Sequence, residues 1–161
     1  MNDDADNRLG YRKAMKTAGS ILARRGHTCN ELSRKLYARG YAEDIVKRVV
    51  SECRRMKYLD DAQVARLLTE ELIRKGLGIH RIRQDMHRRG LSHTIIEQTL
   101  SDCRVQEREP ETARRVLKKK TRMATHPANP AKETQKHIRF LQSRGFTTAT
   151  LAQIMNEAGF M

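Results

Sequence analysis

The amino-acid sequence predicts an all-α fold: three tandem three-helix, helix-turn-helix-like repeats stacked into an elongated or curved solenoid-like molecule. Three observations carry this. A short motif recurs at intervals of about fifty residues, and its apolar positions are followed by others at fixed helical offsets. The composition, 32% charged and 4% aromatic with no Trp, suits thin charge-coated helical layers better than one thick core.

The motif is an apolar residue, two variable residues, Arg-Gly and a large apolar residue. It reads Leu36-Tyr37-Ala38-Arg39-Gly40-Tyr41, Met86-His87-Arg88-Arg89-Gly90-Leu91 and Leu141-Gln142-Ser143-Arg144-Gly145-Phe146. Six residues after each Gly stand Val46, Ile96 and Leu151; ten after, Val50, Leu100 and Met155; thirteen after, Cys53, Cys103 and Ala158. Ile45, Val46, Val49, Val50 and Cys53 fall on one stripe at the 3.6-residue period, as a helix requires and a strand does not. A Gly that ends such a run reads as a helix C-terminus, because it takes the left-handed conformation without a Cβ clash; the Arg before it faces the negative end of the helix dipole.

Each motif therefore marks a helix, a turn and a second helix, with room upstream for one more. The upstream helices carry Ala14, Ala18, Ile21 and Leu22; Val64, Ala65, Leu68 and Leu72; and Ala113, Val116 and Leu117. Thr28 with Glu31 and Asp60 with Gln63 have capping-box spacing, so helices are expected from about residues 28 and 61. The expected division is a disordered N-terminus over 1–10 and repeats over 11–58, 59–107 and 108–161. The third repeat is the least regular: Met123-Ala124-Thr125-His126-Pro127-Ala128-Asn129-Pro130 reads as a mobile loop. His137 falls where Leu32 and Ile82 stand in the other repeats, and a small register change is expected to let Ile138 take the core position.

The formal net charge of +14 calls for an acidic partner, either nucleic acid, an acidic protein surface or an anionic membrane. No apolar stretch approaches a spanning helix, and the acidic start Asn2-Asp3-Asp4-Ala5-Asp6 is unlike a signal peptide, so a cytoplasmic protein without a membrane partner is expected. Cys29, Cys53 and Cys103 are widely spaced and read as reduced, inert thiols, the latter two as small core fillers.

Catalytic chemistry finds no motif: there is no Gly-rich phosphate loop, no H-E-x-x-H and no G-x-S-x-G, and Gly76-Leu77-Gly78 is too short for a nucleotide cradle. Of the histidines, only His80 and His87 could share a helix face, too far apart for two ligands of one metal. Asp60-Asp61 fits helix capping better than a catalytic or metal-binding pair. No cofactor and no metal are expected, and no enzymatic activity.

Basic clusters carry more. Arg8 to Arg25 holds six basic residues and no acid, as does Arg114 to Arg122, and Arg81, Arg83, Arg88 and Arg89 crowd the middle repeat. The candidate partner- or DNA-binding residues are Lys75, Arg81, Arg83, Arg88 and Arg89, with Arg24, Arg25, Arg34, Arg115, Lys118 and Lys119. Phosphate contacts by such residues are largely sequence-independent. Tyr41 and Phe146 occupy packing positions, leaving Tyr11, Tyr37 and Tyr58 for base stacking, fewer than single-strand binders display.

The sequence resembles the RecX family of regulatory proteins. The resemblance lies in Leu22-Ala23-Arg24-Arg25-Gly26-His27-Thr28-Cys29-Asn30-Glu31-Leu32-Ser33-Arg34-Lys35-Leu36, in the Tyr58-Leu59-Asp60-Asp61 junction, in Lys75-Gly76-Leu77-Gly78 followed by Ile82, and in Arg144-Gly145-Phe146. It runs from about residue 14 to the C-terminus. It implies three three-helix repeats, no catalysis, and a monomer that binds the RecA filament on single-stranded DNA, within its helical groove, and inhibits recombinase, ATPase and coprotease activity in DNA repair and the SOS response. Direct DNA binding would be weak. The alternative reading is an independent helix-turn-helix-like DNA-binding or architectural protein.

Overall fold

A computed structural model describes residues 3–121 and 130–157. Among them nine helices and no strand form. The first unit comprises α1 (Asp3–Leu22), α2 (Cys29–Tyr37) and α3 (Glu43–Arg55). The second comprises α4 (Asp61–Arg74), α5 (Ile79–Arg88) and α6 (His93–Asp102), and the third α7 (Val105–Thr121), α8 (Pro130–Ser143) and α9 (Thr148–Glu157). Each unit closes on its own small core, around Leu32, Leu36 and Val49 in the first, Ile82, Met86 and Ile96 in the second, and Leu141, Phe146 and Leu151 in the third. The fold is the all-α tandem array that the repeat predicts.

The Arg-Gly motif does in each unit what its sequence requires. Gly40, Gly90 and Gly145 have φ of 81°, 75° and 80°. The amide of the following apolar residue then reaches back to the carbonyl of the residue that opens the motif: Tyr41 to Leu36 at 3.4 Å, Leu91 to Met86 at 3.2 Å, Phe146 to Leu141 at 3.3 Å. These are Schellman closures, which satisfy carbonyls that a helix end leaves open. A fourth such Gly, Gly76 (φ 77°), ends α4 and returns the Leu77 amide to Leu72 at 3.1 Å. The helix starts also agree: Thr28 and Glu31 form a reciprocal capping box, and Asp60 accepts from the Gln63 amide at 2.8 Å.

Three expectations change. Residues 3–10, read as part of a disordered tail, belong to α1. The extra turns are held because Asn7 donates to Asp44 at 3.1 Å and accepts from Arg48 at 2.7 Å, while Gly10 lets α1 lie against Ile45. The boundary drawn at 107/108 falls inside α7, which begins at Val105. His137 itself fills the core position, at 3% exposure, and Ile138 stays half-buried, so no register change occurs. Burial holds the His137 pKa below its usual value, and its Nε2 lies 3.7 Å from Glu133. The expected loop over 123–129 and the core position of Ala158 lie outside the described residues.

The glycines that face a neighbouring unit separate turn conformation from docking. A Cβ on Gly40 would meet open space, whereas one on Gly145 would lie 2.5 Å from the backbone nitrogen of Arg81. Gly40→Ala should cost about 1–2 kcal/mol from the left-handed backbone alone. Gly145→Ala should cost about 1–3 kcal/mol more for the collision. Urea midpoints of the two single variants measure the difference, and equal losses would mean that the third unit is not seated on the second.

Candidate partner-binding face

The candidate cations divide according to how the units are joined, and the joint is a repeated structure. The turn that ends the second helix of one unit sits against the corner where the second helix of the preceding unit begins. Between the first two units, the Thr28 hydroxyl donates to the Arg89 carbonyl at 2.6 Å, and Arg89 forks onto both oxygens of Glu31 at 3.0 and 2.9 Å. The same guanidinium donates to the Gly26 carbonyl at 2.9 Å. Between the second and third units the Gly78 amide donates to the Arg144 carbonyl at 2.9 Å and the His80 amide to the Gly145 carbonyl at 3.0 Å. Arg144 in turn donates to the carbonyls of Lys75 and Gly76 at 3.0 and 3.2 Å. Gly78 is required there, because a Cβ would stand 2.4 Å from the Gly145 oxygen.

A carboxylate from the following unit completes each joint. Asp61 accepts the Cys29 amide at 2.8 Å, and Glu109 accepts the Ile79 amide at 2.8 Å. The neighbouring unit thus caps the first turn of α2 and of α5. Glu109, at 2% exposure, also accepts from the Thr147 hydroxyl at 2.6 Å and the Thr150 hydroxyl at 2.7 Å, so one buried carboxylate ties α5, α7 and α9 together. Asp60 and Asp61 act as caps, as their position at a helix start suggested; Asp61 serves the preceding unit rather than its own helix.

Several candidate cations are therefore joint or core-bracing residues. Arg25 and Arg89 clasp Glu31 from two sides, Arg115 donates to the Ile73 and Arg74 carbonyls at 2.7 and 3.2 Å, and Arg83 forks onto Glu97 at 2.8 and 3.1 Å. Lys75 pairs with Glu71 at solvent-exposed positions, a contact worth little and easily exchanged for a partner's anion, whereas Arg81 and Arg88 flank the largely covered carboxylate of Asp85 and keep their own guanidiniums partly exposed. Arg24, Arg34, Lys118 and Lys119 are exposed, and no carboxylate among the described residues pairs with them. From sequence, Arg144 read as a helix-end residue of the motif rather than a joint residue, and Glu109 was not singled out. An Arg kept in every motif copy amid variable neighbours was the available signal for the first; nothing distinguishes Glu109 from Glu107 and Glu111.

Other chemistry is muted. Burial raises the Cys53 and Cys103 thiols, and burial followed by Asp61 pushes Cys29 up to about 11, so all three stay protonated at neutral pH. Among the described residues no group of His, Cys, Asp or Glu could hold a metal, and no helix is long and apolar enough to cross a membrane. His27 is buried, with Nδ1 2.9 Å from the Arg25 carbonyl and Nε2 2.7 Å from Lys35 Nζ. The carbonyl can only accept, so Nδ1 carries the proton and Nε2 accepts from the ammonium. Burial keeps the ring neutral by lowering its pKa. Tyr11 lies under Arg48, 4.8 Å from its ring centre, whereas Tyr37 and Tyr58 are exposed.

Comparison with known proteins decides what this array is. Profiles of the first, second and third three-helix domains of RecX match residues 14–53, 60–100 and 106–155 in tandem. This chain belongs to the RecX family. It is 34% identical over 135 residues to the regulatory protein RecX of Vibrio vulnificus, covering 81% of this chain and 83% of that one. It is 32% identical over 136 residues to that of Vibrio parahaemolyticus, with 82% and 83% covered. In fold it matches the crystal structure of RecX from Lactobacillus salivarius with a TM-score of 0.81 at 16% identity, over 96% of this chain and 99% of that one. A second crystal structure, of regulatory protein RecX, matches with a TM-score of 0.78 at 21% identity, over 94% and 74%. The RecX family boundaries follow the helix triplets described above, with α7 opening the third.

Glu31 makes the first joint pH-dependent. Burial alone would raise its pKa, but hydrogen bonds from Arg89, Arg25 and the Thr28 amide, with the Arg89 charge, outweigh this and bring it from 4.5 to about 2. A carboxylate with a depressed pKa stabilises the fold fully above its unfolded value and loses that contribution as pH falls toward the folded value. Glu31→Gln should therefore cost roughly 3 kcal/mol at pH 7, with the gap to the parent closing as pH drops from 4.5 toward 2. Urea unfolding of both proteins across that range tests it; a gap independent of pH would contradict the ionic clasp.

Proposed function

We propose that this protein is a non-enzymatic, cytoplasmic regulator that binds the RecA filament on single-stranded DNA and inhibits its recombinase, ATPase and coprotease activities. The tandem match of all three RecX domains carries the reading, and relatives of similar length are named regulatory proteins. The physical properties are those the role needs. A row of units offers a long face able to span more than one filament subunit, and several modest contacts on one rigid body give long residence without a strong single contact. The formal charge of +14 favours approach to a filament rich in phosphate and acidic protein surface.

The contacts we assign to the partner are Arg24, Arg34, Lys118 and Lys119, the weakly paired Lys75, and the exposed faces of Arg81 and Arg88. Arg25, Arg83, Arg89 and Arg115 act instead through the shape they hold. An independent DNA-binding protein would use the same cations on bare DNA, with affinity falling steeply as salt rises, by about 0.7 in log K per phosphate contact on single strands for each tenfold of salt.

Titrating the protein into RecA hydrolysing ATP on single-stranded DNA, at near-physiological salt and with bare-DNA binding measured alongside, separates the two. Inhibition is expected well below the concentration that coats the DNA, and Arg81→Glu with Arg88→Glu should raise the inhibitory concentration about tenfold. Inhibition only at DNA saturation would replace this reading with plain DNA binding.

A further inference from the structure

The Arg-Gly turn is present three times, and in two of them it is filled. The turns of the second and third units sit on the helix-start corner of the preceding unit, where Arg89 and Arg144 reach the carbonyls of Gly26 and Gly76. Those two glycines hold the same place, fourteen residues before the motif glycine of their own units. The first unit has no predecessor among the described residues. Its turn has the same backbone, with Gly40 at φ 81° and the Tyr41 amide returned to Leu36, but Arg39 and Gly40 are exposed where their counterparts are half-buried. Tyr41 is half-buried where Leu91 and Phe146 are buried, and a Cβ on Gly40 would touch nothing. Arg39 donates to the Lys35 carbonyl of its own helix at 2.8 Å.

We infer that the Arg39-Gly40 turn is a docking element for a helix-start corner of the partner protein, one that presents a free backbone carbonyl beside a carboxylate. The filled copies define this occupant. In each, the guanidinium takes the carbonyl of a glycine in the connection between the first and second helices, and in the first joint it also forks onto a carboxylate in the first turn of the second helix. Among its described residues, a second copy of this chain leaves no second-helix corner open. Its first two corners are occupied by its own following units, and in the third unit α8 begins at Pro130, four residues before Thr134, the position equivalent to Cys29 and Ile79, so helix runs through the corner. Positive charge nearby, from Arg34, Lys35 and Arg39 on one short helix and its end, favours an acidic corner over a neutral one.

This inference rests on the filament reading above, and its test separates the two. Affinity of the full-length protein for RecA filaments on single-stranded DNA, and for the bare DNA, would be measured for the parent and for Arg39→Glu, Arg39→Ala and Arg39→Lys. Arg39→Ala and Arg39→Glu should weaken filament binding by about tenfold or more, as loss of a charged anchor does. Bare-DNA affinity should change less than about twofold, since a single exposed charge adds one weak phosphate contact. Arg39→Lys should lose most of the affinity too, because an ammonium keeps the charge but not the planar fork. Melting temperatures should match the parent, since the hydrogen bond of Arg39 among the described residues is to the Lys35 carbonyl of the adjoining helix. Unchanged filament affinity in Arg39→Glu, an equal loss on bare DNA, or a fully active Arg39→Lys would each overturn the docking element alone. Failure of the parent to bind filaments would overturn the functional reading, and this inference with it.

Discussion

A helix leaves its first amides without partners, and in this chain the next unit supplies them. Asp61 takes the Cys29 amide and Glu109 the Ile79 amide, so α2 and α5 are each capped from outside their own three-helix unit. Around each of these bonds the Arg-Gly turn of the following unit closes on the same corner. A unit of about fifty residues buries too little surface to be robust alone. Its neighbour contributes polar partners that water would otherwise have to provide, and the units follow one another because each of these turns is seated on the corner before it.

The two joints use different materials for one geometry. In the first, side chains do most of the bonding: Thr28, Glu31, Arg25 and Arg89 form a charged clasp, and Gly90 lies against Asn30. In the second, backbone meets backbone at Gly78 and Gly145, and α7 packs along α5 and α6. Arg108, forked onto Glu70 at 2.6 and 3.0 Å, adds a strut there. Charged clasps weaken with protonation of the carboxylate, while close backbone contact is indifferent to it. Protonation of Glu31 accordingly loosens the clasp of the first joint, while the second joint combines close backbone contact with the Glu109 and Glu70 carboxylates.

Much of this was legible in the sequence. The motif located every second helix, its turn and the start of the third helix, because a left-handed Gly followed by a buried apolar residue leaves a plain signature. The upstream helices and both caps were equally readable. What was not readable lay in long-range polar contacts. The first ten residues looked like a tail because the bonds of Asn7 to Asp44 and Arg48 depend on α3 folding beside them. His137 looked misplaced because a neutral, buried imidazole can fill a core that hydropathy alone assigns to Ile138. Among the cations, sequence gave the sign of the surface but not its division, since an Arg that braces a joint and an Arg that awaits a partner have the same composition and the same neighbours.

The most direct test of the array is amide exchange at Cys29 and Ile79. Both amides stand in the first turn of their helix, where an isolated helix leaves N–H groups to water and exchange is fast. If the following unit caps them, both should exchange only through opening of the joint, with protection approaching that of core amides such as Leu36 and Met86. Exchange of either at the rate of an unprotected first-turn amide would mean that the units are not joined as described, and that the chain is three loosely tethered domains rather than one binding surface.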